Sequence, residues 1–105
     1  MPLRNIVTAF RRGLQNRIPY KQMETLKVSD VAGKRFKIMN PDGTKWIYFG
    51  QYPYQQGAYI DHWNNDLREG WFARHSRIAI RRDGKLIAAI NYPNSPDYYA
   101  ARILW

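Results

Sequence analysis

The stretch RFKIMNPDGTKWIYF, residues 35–49, decides the fold of this chain. Phe36 and Ile38 alternate with basic or polar neighbours, which is the period-2 pattern of a strand with one buried face. Residues 41–44, Pro-Asp-Gly-Thr, are a strong turn signal, because proline and glycine supply backbone angles that a tight turn needs. Residues 46–49 alternate again after this turn. The stretch therefore predicts a β-hairpin that turns one face of both strands toward a core.

A second hairpin is predicted further along the chain. Residues 76–80 alternate as a strand, with Ile78 and Ile80 expected to point inward. Residues 83–84 are an Asp-Gly pair, a frequent hairpin turn. Residues 85–92 are then the partner strand.

Two short helices complete the predicted body. Asp61 is expected to be the N-cap of a helix that runs to His75, because Asp is a favoured N-cap residue. One face of that helix is expected to carry Trp63, Leu67 and Trp71. Ser95 is expected to cap the last helix, with Pro96 in its first turn and Asp97 complementing the helix dipole. The hairpins and helices together predict an α+β fold.

A basic amphipathic helix is predicted before the first hairpin, and Pro19 ends it. Its apolar face is made by Leu3, Ile6, Val7, Phe10, Leu14 and Ile18. Its polar side carries Arg4, Arg11, Arg12 and Gln15. Three placements are open for this helix: packing on its own domain, docking on a neighbouring subunit, or lying on nucleic acid or an anionic membrane surface.

A chain of 105 residues has room for one hydrophobic core. Residues 20–33 have weak periodicity and are interpreted as a linker or a short irregular strand. We therefore expect residues 1–33 to form a basic N-terminal helix or arm with its linker, and residues 34–105 to form a compact α+β domain.

The charge is large and unevenly distributed. The chain has 17 Lys and Arg residues against 8 Asp and Glu residues, a formal net charge of +9. Residues 1–37 contain nine of the basic and two of the acidic residues, so their net charge is +7 and that of the remainder is +2. Such a balance attracts phosphate, anionic lipid or acidic protein.

Aromatic residues are also abundant, with eight Tyr, four Trp and four Phe. A core of this size is not expected to hide all of them, so some are predicted to meet a partner. In the loop of residues 50–57, Tyr52 and Tyr54 flank a proline; they form either an exposed adhesive segment or packed covers of a proline turn. The candidate contacts to a partner or to nucleic acid are Arg4, Arg11, Arg12, Arg17, Lys34, Arg35, Arg77, Arg81, Arg82, Tyr52 and Tyr54.

Several classes of site have no support in the sequence. There is no cysteine, which excludes disulfides, cysteine-based zinc sites and thiol chemistry. No apolar run reaches the roughly 18 residues of a membrane span, and arginines interrupt the N-terminus where a signal peptide would be apolar. No spacing of metal ligands, nucleophilic serine motif or glycine-rich phosphate loop is present. We expect no catalytic residue, no metal and no cofactor.

Residues 73–75, Ala-Arg-His, have two interpretations. As a structural joint, His75 ends a helix and bonds its backbone carbonyls, and Arg74 does the same or pairs with an Asp or an aromatic ring. As chemistry, His75 would be the base of a small metal-dependent nuclease, with Asp61 or Asp66 holding the metal and Arg74 on the phosphate. The structural interpretation is favoured.

Four local patterns carry a resemblance to known proteins. The first is Phe49-Gly50 at the end of a hairpin, and the second is Tyr59, His62 and Asn64. The third pattern is Trp71, Ala73, Arg74 and His75, and the last is Tyr98, Tyr99, Arg102, Leu104 and Trp105. From about Lys34 to the end, the chain resembles an uncharacterised family of small proteins of DNA viruses and bacteriophages.

The resemblance has departures: Asn64 stands where the family has an acid, the second hairpin is not expected there, and the basic helix lies outside it. It implies a viral origin and transfers no catalytic residue. Its matched positions, interpreted as a structural motif, include Trp71, Ala73, Arg74, His75, Arg102 and Trp105.

Charge, aromatic content and the resemblance lead to an expected function. The leading interpretation is a virion structural protein (a minor capsid, cement or connector-type subunit), located in the virion and in the host cytoplasm before assembly. Its partners would be other capsid subunits, with the basic side facing packaged nucleic acid, an acidic protein or a membrane surface. The alternative is a viral protein that binds nucleic acid without sequence preference. The third interpretation is the nuclease.

Overall fold

The computed structural model describes residues 2–53 and 56–105, and it describes only the backbone of Pro2, Leu3, Arg4 and Arg82. The helices are α1 (Pro2–Gln15), α2 (Tyr20–Met23), α3 (Tyr59–His62), α4 (Asn65–His75) and α5 (Pro96–Tyr99). The strands are β1 (Lys27–Val28), β2 (Lys34–Met39), β3 (Trp46–Gln51), β4 (Ala79–Arg82) and β5 (Lys85–Ala88). A 3₁₀ turn (Ala89–Asn91) precedes α5, and a π turn (Ala100–Leu104) follows it. The fold is α+β, as the sequence predicts.

The first hairpin, β2–β3, is the predicted one. Its strands pair in antiparallel register with Phe36 opposite Phe49 and Ile38 opposite Ile47. All four side chains are buried, and burying an apolar side chain of this size contributes about 1.5–3 kcal/mol. At the turn, the side-chain oxygen of Asn40 accepts the backbone N–H of Thr44. β1 joins as a third antiparallel strand beside β2.

Helix α1 packs on the domain itself, which is the first of its three open placements. Ala9 is fully buried, and Gly13 lies against Met23 so closely that an added Cβ would stand 2.4 Å from the Met23 methyl carbon. Ile18, Met23 and Leu26 belong to the same core cluster as the first hairpin. Residues 5–33 therefore share one core with the rest of the chain, and residues 20–33 supply a helical turn and a strand.

The C-terminal segment closes this core. The Ser95 hydroxyl oxygen accepts the backbone N–H of Tyr98 at 3.1 Å, which confirms Ser95 as the N-cap of α5. Tyr99 is buried, and its hydroxyl accepts from the Gln22 side-chain amide at 2.6 Å and donates to Asn94 at 3.1 Å. Burial raises the pKa of Tyr99. The side chains of Ile103 and Leu104 are buried as well.

The prediction of a continuous helix from Asp61 to His75 is wrong. The segment forms two helices, because Trp63 adopts a left-handed backbone (φ 52°) that ends α3. The N-cap of α4 is Asn64, whose side-chain oxygen accepts the N–H groups of Asp66 and Leu67. Trp63 is 52% exposed and does not share a buried face with Trp71.

The second hairpin exists, but it is shorter than predicted. β4 begins at Ala79, so Ile78 lies outside the strand and is 46% exposed rather than turned inward. Ile80 pairs with Ile87, and both are half-buried. The partner strand ends at Ala88, because the chain bends into the 3₁₀ turn there. On the other face of this hairpin, Arg81 lies opposite Leu86, which is 66% exposed.

Candidate functional site

A cleft of about 750 Å³ lies where the start of β2 and the end of β3 meet the end of α4 and the start of α5. Its walls combine three kinds of residue: backbone and loop residues around Gly33, Gly50 and Gly57, basic side chains, and aromatic rings. Concave sites with a few polar groups among apolar walls are where small ligands usually bind.

Arg35 and Asp61 form a buried ion pair at the back of the cleft. The two terminal nitrogens of Arg35 each donate to one oxygen of Asp61 at 2.7 Å, and Arg35 is only 7% exposed. The Ala58 N–H (2.7 Å) and the Asn5 side-chain amide (3.0 Å) donate to the same carboxylate. Burial raises the pKa of Asp61, but the hydrogen bonds from Arg35 and Ala58 outweigh it, so this pKa lies below its ordinary value. Arg35, predicted as a partner contact, is therefore buried and bonded to Asp61 within the fold.

Three aromatic rings form a stacked column along another wall. The Trp71 ring lies nearly parallel to the Trp105 ring (centroids 5.3 Å apart, 13°) and to the His75 ring (4.0 Å, 16°). His75 Nδ1 donates to Asp97 Oδ2 at 3.2 Å. His75 does end α4, as predicted, but its partner is the Asp97 side chain rather than a backbone carbonyl. The Ala-Arg-His segment is therefore a joint between α4 and α5 whose histidine also lines the cleft.

Two exposed cations, Lys34 and Arg74, stand at the cleft with no side-chain ion pair among the described residues. Lys34 begins β2, and Arg74 lies in the last turn of α4. Beyond Arg74, Arg77 is exposed in the turn that leads to the second hairpin, and Arg81 is exposed on β4. Arg74, Arg77 and Arg81 therefore follow one another along the chain between the cleft and the first strand of the hairpin, and Lys34 lines the cleft as well.

Arg12, another predicted contact, bonds within the fold, as do Arg68 and Arg102. Arg12 donates to the backbone oxygen of Trp105 at 3.1 Å, and Arg68 donates to the same oxygen at 2.6 Å. Burial, together with the charge of Arg68, lowers the pKa of Arg12. Arg102 donates to the Ile90 carbonyl at 2.8 Å and lies over the Tyr98 ring. These guanidinium groups stabilise the fold, and the role of Arg68 had no signal in the sequence.

The remaining predicted residues are scattered. Arg11 and Arg17 are exposed on α1 and just after it, Tyr52 is 57% exposed, and Ala73 is exposed on α4. Tyr54 and the side chains of Arg4 and Arg82 lie outside the described residues.

The described residues contain no group of three or more His, Cys, Asp or Glu side chains that could hold a metal ion. The Nδ1 atom of His62 accepts the Asn64 N–H at 2.9 Å, so that lone pair is occupied. The Asp61 carboxylate is occupied by Arg35. No helix in the described ranges is long and apolar enough to cross a membrane.

Residues 24–75 match a family of unknown function (DUF5754). This segment overlaps the resemblance noted above from Lys34 to His75 and begins ten residues earlier. It contributes most of the residues that line the cleft, including Lys34, Arg35, Trp71 and His75. No curated protein and no solved structure shows a significant match to the chain.

Proposed function

We propose that this protein binds the phosphate backbone of nucleic acid without reading the base sequence. The proposal rests on one observation: many exposed basic side chains have no acidic partner within the described part of the fold. Three carboxylates, those of Asp30, Asp61 and Asp97, face basic partners within the fold. Ten exposed cations have no side-chain hydrogen bond or ion pair to another described residue: Arg11, Arg17, Lys21, Lys27, Lys34, Lys45, Arg74, Arg77, Arg81 and Lys85.

The cleft and the second hairpin are the surface that best fits this function. Lys34 and Arg74 stand at the cleft. Arg77 precedes the hairpin, and Arg81 and Lys85 add positive charge on its two opposite faces. Lysine and arginine side chains that neutralise phosphates release condensed counterions, so the resulting affinity falls steeply with added salt. A two-stranded antiparallel ribbon is also a shape that nucleic-acid grooves accept.

A salt titration with a labelled single strand and a labelled duplex tests the proposal. Five phosphate contacts predict a slope of log K against log salt of about −3.5 for a single strand. Replacing Arg77, Arg81 and Lys85 by Gln removes three contacts, so we expect the slope to become shallower by about 2.

The matched control replaces Arg11, Lys21 and Lys45 by Gln. These residues lie on α1, α2 and the β2–β3 turn, none of which contributes to the cleft, and the loss of charge is identical. Binding that weakens equally in both triple variants would assign the effect to net charge alone and reject the proposed surface. Undetectable binding of the unaltered protein at low salt would reject the function.

A structural role in a virion is the second candidate, favoured by apolar side chains left uncovered on and beside the second hairpin. Ile78 and Leu86 are 46% and 66% exposed. We propose on this ground that the hairpin contacts a neighbouring subunit in a minor capsid, cement or connector position. The aromatic surface on which this idea first depended is smaller than expected, since most of the described rings pack within the fold and Tyr20, Tyr52 and Trp63 are the large exposed ones. Mass spectrometry of purified particles tests it; absence from particles despite abundance in infected cells would reject it.

A further inference from the structure

The ring column ends at His75, whose ring stacks on Trp71 and on no other ring of the described residues. Trp71 lies between Trp105 and His75, because each of these rings is parallel to it and they do not contact each other. The His75 side chain keeps 28% of its surface exposed and lines the cleft. No ring of the described residues covers its second face. A column of stacked rings that stops at an open cleft offers a surface for one more planar ring.

The edge of His75 is fixed, which keeps this face in place. The Asp97 carboxylate accepts from Nδ1 at 3.2 Å, and Trp71, only 7% exposed, supports the inner face. A ring held at its edge and on one face loses little conformational freedom when a ligand stacks on it. The position is therefore preorganised for stacking.

Positive charge borders the same cleft. Lys34 and Arg74 are exposed and unpaired among the described residues, while the nearby acid, Asp97, is engaged by His75. A ligand that joins a planar ring to a phosphate would meet both features together. A volume of about 750 Å³ is within the range of sites that hold small organic ligands.

We infer that the cleft binds a nucleotide unit, with its base stacked on the open face of His75 and its phosphate held by Lys34 and Arg74. This inference rests on the proposed function and makes it more specific. Bases in a duplex are already paired and stacked, so the site selects single strands, in which each base has an accessible face. A free nucleotide has the same chemistry as a nucleotide within a strand.

Equilibrium binding of two short strands of equal length and charge tests the inference. One is a hexathymidylate, and the other is the same backbone without bases. Stacking of one base predicts about tenfold tighter binding of the base-containing strand. The His75→Ala variant should bind both strands equally, whereas His75→Phe, which keeps a ring, should retain the preference. Tyr20→Ala removes an exposed ring outside the cleft and should leave the preference unchanged.

Comparing the binding of thymidine monophosphate with that of inorganic phosphate shows whether the site takes a free nucleotide or only a nucleotide within a strand. A base-dependent preference there assigns the site to a nucleotide of either source; a preference with strands alone assigns it to nucleic acid. A second readout uses the unaltered protein: the ring protons of His75 should shift upfield in NMR spectra when hexathymidylate is added, and stay in place with the base-free strand.

Distinct outcomes separate the two proposals. Equal, salt-sensitive binding of both strands by the unaltered protein would overturn the inference and leave backbone binding intact. A preference that survives in a folded His75→Ala protein, or a His75 resonance that does not respond, would also overturn it. Failure of both strands to bind at low salt would instead remove the proposed function.

Discussion

Neutralising Asp61 without changing its shape should strongly destabilise the fold. Asp61→Asn leaves a side chain of the same size, but it places an amide against the Arg35 guanidinium, which is only 7% exposed and now lacks a countercharge. Two charge-assisted hydrogen bonds of 2.7 Å are weakened or lost together. Removing one partner of a buried pair costs about 3–5 kcal/mol, because the other charge stays buried.

That cost is a large part of the free energy of unfolding of a small domain, which is about 5–15 kcal/mol. At roughly 4 °C or more per kcal/mol for a chain of this length, the melting temperature should fall by more than about 10 °C. Thermal unfolding followed by circular dichroism measures the change, and urea unfolding at 25 °C gives the free energy directly.

Asp30→Asn is the matched control. It makes the same chemical change in a second Asp–basic pair, since Asp30 lies 3.4 Å from Lys37, but the Asp30 side chain is 67% exposed. Exposed ion pairs contribute little because water and salt screen them, so the melting temperature should hardly move. If Asp61→Asn is tolerated as well as Asp30→Asn, then the Arg35–Asp61 contact does not act as a buried charge pair, and our account of the back of the cleft is wrong.

Three further predictions concern the same fold. Because the pKa of Asp61 is lowered in the folded state, its contribution to stability is present above its unfolded pKa of about 3.9 and is lost as the pH falls through the folded value. The difference in unfolding free energy between the unaltered protein and Asp61→Asn should therefore be constant near neutral pH and narrow in acid. A difference that widens in acid would contradict this sign. Gly13→Ala should destabilise by about 1–3 kcal/mol despite the better helix propensity of alanine, because the new methyl group would collide with Met23; a higher melting temperature would show that Met23 can move aside. Asn64→Ala removes the N-cap of α4 and should cost about 1 kcal/mol in urea unfolding, whereas no change would mean that water replaces the cap.

The sequence predicts those parts of the fold whose signals are local. The first hairpin follows from alternation and a turn motif, and the cap at Ser95 follows from a hydroxyl placed before proline and acid; both are confirmed. Asp61 carries the same kind of cap signal, yet its carboxylate is occupied by Arg35, a residue 26 positions away. A local pattern does not reveal a partner so distant in sequence, so the predicted N-cap, Asp61, lies three residues before the observed one, Asn64.

The candidate site was predictable only in its composition. The sequence points to the basic residues and to the Ala-Arg-His segment. It does not distinguish arginines that hydrogen-bond within the fold from arginines that face solvent. Arg12 and Arg102 bond to backbone carbonyls, whereas Arg74 stands free at the cleft. That difference depends on which elements meet in space. The stacked column at His75 likewise needs Trp105, thirty residues further on.

The contacts of α1 with the end of the chain have a consequence for how the protein is made. Arg12 donates to Trp105 across 93 positions, and Asn16 donates to Arg102 across 86. A ribosome adds about 5–20 residues per second, so residues 102–105 are made roughly 5–20 s after the first helix that they help to cover. An isolated helix of its 14 residues is marginal in water. During synthesis this segment is therefore an apolar stretch whose cover stays incomplete until residues 102–105 have been made.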